Sequence, residues 1–218
     1  MSSDFLLRLS IVLGILAIYY IWRAYRWRKL RANQRPPNSI VLLLAQHAPL
    51  NPQYLSIVVS RALGREVPAE DLGKEPDPHE VGDCVMGAAP HFMVSIDRKM
   101  FLVHSVPAPY VDPADFSESY RELRTKASLV AHTAWLSVDF LGGESTAADH
   151  RVMGRVAAEF VGPNCLALYH PGTDQFIPVE ANTFEEFQEK LRGDDPVAEL
   201  FVATVQGLVP RQSERAKI

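Results

Sequence analysis

Residues 39–45 read SIVLLLA and residues 128–140 read SLVAHTAWLSVDF. The first is a continuous apolar run, as expected of a strand buried on both faces. The second alternates, so that Val130, His132, Ala134, Leu136, Val138 and Phe140 fall on one face of a long predicted strand. Each is followed by a helix signal and then by further strands. After residue 45, Asn51-Pro52 supplies an N-cap and a proline at the first helical position. Leu55, Val58, Val59 and Ala62 then recur at helical spacing, and Gly64 closes the helix. Residues 65–82 form an acidic, proline-rich loop before predicted strands at 83–88, 92–97 and 100–106, the last two joined by a tight connection at Asp97-Arg98-Lys99.

Asp112-Pro113 starts a predicted helix with Phe116, Tyr120 and Leu123 on one face. Past residue 140, Gly142-Gly143 ends the strand. A helix over about 147–161 buries Val152, Met153, Val156 and Phe160, and strands are predicted at 164–170 and 175–179. Thr183 and Glu186 are spaced as a capping box, and Asp195-Pro196 opens a last helix. The class is α+β, a mixed β-sheet covered by helices. The order strand–helix–strand–strand occurs twice, from residues 39 and 128. An internal duplication of a β-α-β-β unit would leave that pattern, although the halves share pattern rather than residues.

The N-terminus is different in kind. Residues 5–22 read FLLRLSIVLGILAIYYIW, a helix of ~27 Å at ~1.5 Å per residue against ~30 Å of hydrocarbon. Arg8 can snorkel at one end, and Tyr19, Tyr20, Trp22, Tyr25 and Trp27 gather at the other as an interfacial belt. Arg23, Arg26, Arg28, Lys29, Arg31 and Arg35 follow with no acid among them. A cleaved signal peptide carries its positive charge before the apolar run and a small-residue cleavage site after it, and neither is present. The expectation is therefore a single-pass cell-membrane protein. Residues 1–4 lie outside, a transmembrane helix spans 5–23 with the lipid bilayer as partner, and a basic flank and linker covers 24–38. The domain at 39–209 is cytoplasmic, with a polar tail at 210–218.

Charge and cysteine usage narrow the function. Residues 1–35 hold seven basic residues and one acid, so the remainder carries 15 basic against 25 acidic residues, a balance of −10. Such a domain repels phosphate backbones, which argues against a nucleic-acid partner. Cys84 and Cys165 have no partner at metal-ligand spacing and read as core thiols. The chain contains no GxxxxGK[ST] loop, GxGxxG turn, HExxH helix or GxSxG elbow. No cofactor and no metal site is expected.

Among the histidines, His104 and His132 lie on predicted strands. If those strands are neighbours, the two imidazoles converge near Asp139 or Asp97, an arrangement suited to general-base or metal chemistry. The plainer alternative for each is a core histidine bonded to backbone. In the segment from Val106 to Tyr110, Pro107 and Pro109 fix an extended path that presents Tyr110 rigidly, as in the wall of a ligand or peptide groove, or as in a stiff connector.

A proline-rich segment with an aromatic, then a helix, then a strand of the form AHTAWLSVDFLG resembles the bacterial domain of unknown function 4261. In that family an MPAPIP-like segment precedes a helix and an H-x-A-h-h-x-V strand. The matching stretches here are Val106 to Tyr110 and His132 to Val138, with Ser105-Val106 where the family has Met, and with a membrane anchor added. The resemblance implies an α+β fold over most of 39–205 and implies no activity. The leading expectation is a non-enzymatic, membrane-anchored cytoplasmic binding or scaffolding domain with a membrane or cytoplasmic protein partner. The alternative is a tethered hydrolase or metal-dependent enzyme using His104, His132 and Asp139.

Overall fold

In the computed structural model the described residues are 38–70, 82–111, 122–143 and 145–202. Among them, no helix is long and apolar enough to cross a membrane. The anchor expected over 5–23, the helix expected from Asp112-Pro113 through Tyr120 and the tail all lie outside the described residues.

Strand β1 (Asn38–Leu44) is an interior strand of the sheet. Its side chains are apolar on both sides: Ile40, Leu42 and Leu44 enter one core, and Val41 and Leu43 enter another. Around it stand β2 (Cys84–Ala88), β3 (His91–Ile96), β4 (Lys99–Val106), β5 (Ala134–Phe140), β6 (Cys165–His170) and β7 (Gln175–Pro178). Their order across the sheet is β2-β3-β4-β5-β1-β6-β7. Asp97 and Arg98, both at positive φ, make the two-residue β3–β4 turn, whose twist matches that of the flanking strands.

Helix α1 (Pro52–Leu63) starts where the Asn51 side chain accepts the Tyr54 N–H at 2.8 Å, and ends at Gly64 with φ +67°. Helix α3 (Ala147–Ala158) starts with a reciprocal Thr146–Asp149 capping box. With α4 (Phe184–Leu191) and a π-helical turn (Ala198–Val202), these helices fill the larger core with Leu55, Val59, Met153, Val156, Leu191 and Phe201. Helix α2 (Leu123–Ala131) lies on the opposite face, where Leu129 packs with Val41, Leu43, Tyr169 and Phe176.

Four expectations are corrected. The sheet is antiparallel in every ladder, not mixed, apart from one isolated parallel bridge between Ala69 and Val85. The crossover from β5 through α3 does return in parallel to β6, but β1 sits between them and runs opposite to both. The repeated strand–helix–strand–strand order is not a repeated topology. After α1 the strands run inward from the sheet edge (β2, β3, β4), whereas after α3 they run outward (β6, β7). The single strand expected over 128–140 is the end of α2, a turn at His132-Thr133, and β5. Val130, expected on one strand face with Ala134 and Leu136, is 64% exposed, whereas those two are buried. Thr183 makes no side-chain cap for α4; its hydroxyl donates to the Glu180 carbonyl and accepts the Glu180 N–H instead.

Candidate functional site

Alternation along β5 sends Leu136 and Val138 into the larger core and leaves Trp135, Ser137 and Asp139 on the other face. Register then brings polar partners to them from both neighbouring strands. Ser39 on β1 stands opposite Asp139, and His104 on β4 stands opposite Ser137, with His91 on β3 opposite His104. The carboxylate of Asp139 accepts two hydroxyls: Ser39 at Oδ1, and Ser137 at Oδ2 at 2.8 Å. His104 turns Nε2 toward the same carboxylate but stops 4.0 Å from Oδ2, beyond hydrogen-bond range. That nitrogen is buried and has no hydrogen-bond partner among the described residues.

The electrostatics follow from this placement. Burial raises the Asp139 carboxyl above the ordinary range, against the opposing pull of the Ser39 and Ser137 hydroxyls and of His104. Burial lowers the His104 imidazole; Asp139 partly offsets this, and nearby His91 adds to it. The centre is therefore a buried acid beside an imidazole that burial keeps from charging, and among the described residues no lysine or arginine pairs with the carboxylate.

Pro107 and Pro109 are exposed and carry the chain away from β4 to Tyr110. Tyr110 is held by His132. The His132 Nδ1–H donates to the Leu129 carbonyl near the end of α2 at 2.6 Å, which leaves Nε2 to accept the Tyr110 N–H at 3.0 Å. His132 is 2% exposed, and burial lowers its pKa despite the backbone bonds. Both of its ring nitrogens are engaged, so it positions the loop and offers no free base. The Tyr110 ring meets Trp135 edge-on at 5.1 Å and Tyr169 at 5.6 Å. Its phenol is raised by burial and by Asp139.

These parts enclose a groove of about 320 Å³. Ser39, His104, Ser137 and Asp139 supply its polar side, and Val41, Tyr110, Trp135, Phe140 and Leu141 its apolar walls. The structure thus brings His104, Asp139 and Tyr110 to one place and sets His132 behind Tyr110. Asp97 is elsewhere, in the β3–β4 turn, paired with Arg65 at 2.9 Å. Among the described residues no group of three or more His, Cys, Asp or Glu is arranged to hold a metal ion. Cys84 and Cys165 are buried thiols, pushed up by burial to about 11 and about 12.

The sequence reading missed Ser39 and Ser137. Ser137 carries a local signal, since Trp135, Ser137 and Asp139 alternate with apolar residues. Ser39 carries none, because its role appears only once β1 pairs with a strand 100 positions away. No protein-family model, curated protein or solved structure matches the chain.

Proposed function

We propose that the chain is a membrane-anchored, cytoplasmic binding domain that holds a small ligand in the groove over Asp139. One observation carries the reading. Among the described residues His104 Nε2 is buried without a hydrogen-bond partner, 4.0 Å from a carboxylate that no described lysine or arginine pairs with. Buried polar atoms are nearly always satisfied, so a lone one at the wall of a groove points to a group that arrives from outside. A ligand hydroxyl or amine placed between the two side chains would bond both. Tyr110 and Trp135 would cover its apolar or aromatic body. A groove of this size suits a small molecule.

The tether belongs to the same reading: residues 5–23 would keep the domain at the membrane and raise its effective concentration toward a membrane partner. The resemblance to the domain of unknown function 4261 is consistent with the α+β fold and adds no ligand. The chain contains three tryptophans, so an amide–indole NMR spectrum of the full chain in detergent has few indole signals, and Trp135→Phe identifies that of Trp135. Benzylamine and benzyl alcohol serve as probes. At ~0.5 kcal/mol per heavy atom either would bind near the millimolar range, and the Trp135 signal should move saturably. If neither probe moves it at ~10 mM, the groove is not a ligand site. The tether has its own check: the full chain should stay in membranes through an alkaline carbonate wash.

A further inference from the structure

Ser145, His150 and Asp195 lie outside that groove and form one hydrogen-bonded chain. Ser145 Oγ is 2.8 Å from His150 Nε2, and His150 Nδ1 is 2.9 Å from Asp195 Oδ1. An ionised carboxylate only accepts, so Nδ1 carries the proton and Nε2 presents its lone pair to the serine hydroxyl. This is the polarity required of a serine nucleophile, its general base and an orienting carboxylate. The surroundings fit the assignment. Ser145 lies in chain order between the end of β5 and the first turn of α3, and the sequence Gly143-Glu144-Ser145-Thr146-Ala147 resembles the GxSxG pattern of serine nucleophile elbows. The last position differs from the GxSxG pattern. The N–H of Thr146, next after the serine, is occupied by Asp149 Oδ2 at 2.9 Å. Ala147 and Ala148 open the exposed first turn of α3, where helix N–H groups have no intrahelical acceptor.

Two features hold the chain of groups in place. Buried Asp149 binds Lys99 Nζ at 2.6 Å and closes the capping box, which fixes the Ser145–Thr146 turn. Gly154, one helical turn beyond His150, lets Pro196 and the Leu191 carbonyl press against α3, bringing neighbouring Asp195 to the imidazole. Ser145 is half-buried, and the His150 and Asp195 side chains are 17% and 33% exposed, so the three groups lie at the surface and are not sealed in the core.

We propose that Ser145, His150 and Asp195 form a nucleophilic centre that hydrolyses small carboxylic esters, independently of the groove. In the first step Ser145 Oγ bonds to the ester carbonyl carbon as its proton passes to His150 Nε2, and the carbonyl π electrons move to oxygen. Collapse expels the alcohol, which takes the proton from Nε2. Water then gives a proton to Nε2 and attacks the acyl carbon; Oγ leaves with that proton, and the acid is released. Asp195 is a positioning residue. It shares Oδ1 with the Ala198 N–H at 3.2 Å, and its side chain is 33% exposed, so the carboxylate divides its hydrogen bonding between the imidazole and the following turn. Esters, whose alcohol leaving groups depart more readily than amines, ask least of such a centre.

The test is fluorophosphonate labelling of the folded full chain in detergent, with peptide mapping and p-nitrophenyl acetate turnover. The label should fall on Ser145, and Ser145→Ala should remove both label and turnover. His150→Gln should slow labelling by ~10²–10⁴-fold. Asp195→Asn keeps the cap on Ala198 and so the melting temperature, but should slow labelling and change its pH profile, because the imidazole loses the partner that fixes its tautomer. Wild-type protein that is folded yet unlabelled overturns the proposal. So does turnover that survives Ser145→Ala, or wild-type labelling by folded His150→Gln.

Discussion

Gly154→Ala tests the packing on which α3, α4 and the Pro196 turn depend. An added Cβ would stand 2.2 Å from the Leu191 carbonyl oxygen and 2.5 and 3.0 Å from two carbons of the Pro196 ring. The first is a backbone atom that cannot rotate away, so α3 and α4 must separate. Replacing a mid-helix glycine with alanine by itself favours the helix by about 1 kcal/mol, whereas overpacking a core costs about 1–3 kcal/mol and sometimes more. With a backbone overlap this deep, overpacking should win, for a net loss of about 2 kcal/mol. At ~2–4 °C per kcal/mol for a domain of this size, the melting temperature should drop by ~4–8 °C. Circular dichroism at 222 nm on the full chain in detergent reads it. Gly143→Ala, where an added Cβ meets nothing within 4 Å, is the control and should lie close to wild type. A Gly154→Ala protein as stable as wild type, or more stable, would refute the close contact of α3 with Leu191 and Pro196.

Three further outcomes are expected. Asp139→Asn removes a buried carboxyl whose folded pKa lies above the ordinary value; such a group favours folding most below its ordinary pKa and loses that advantage as pH rises through the folded one. The variant should therefore be more stable at neutral pH, by about 1 kcal/mol in thermal or urea unfolding, and the gain should vanish in acid. His170 stacks on Phe201 and is pushed down to about 4, by burial first and then by His150. A lowered imidazole contributes stability that is complete above 6.5 and lost as pH falls toward 4. Over that window His170 should cost up to about 3 kcal/mol, and His170→Gln should flatten the acid limb of a stability–pH curve. Cys84 and Cys165 should resist maleimide at neutral pH in native protein and react after denaturation, as followed by intact mass.

What the sequence made legible was local. The Asn51 cap, the proline after it, Gly64 and the Asp97-Arg98 turn each act within a few residues, and each appears where its chemistry put it. The unbroken run of β1 correctly signalled burial on two faces. Helix α2 escaped because it has little local signature: Glu122 makes no side-chain cap, and the last turn holds no basic residue. It is held by Leu129 and Thr125 against the sheet, while Val130 and His132 imitate a strand by chance spacing. The antiparallel pairing escaped because β1 inserts between β5 and β6, a long-range choice with no local cause. At the groove, the approach of His104 to Asp139 depends on β4 lying beside β5, which the sequence offered only as a condition, and the part played by His132 depends on a helix end that the sequence reading had made a strand.

If His104 and Asp139 face a gap that an external polar group fills, long-range nitrogen–proton NMR of the histidine rings will report its arrival. On addition of benzylamine, the His104 Nε2 signal should shift together with the Trp135 indole, and Asp139→Asn should suppress both shifts. A Trp135 shift with an unmoved His104 ring would rule this out, because the probe would then touch the aromatic wall without entering the space between imidazole and carboxylate.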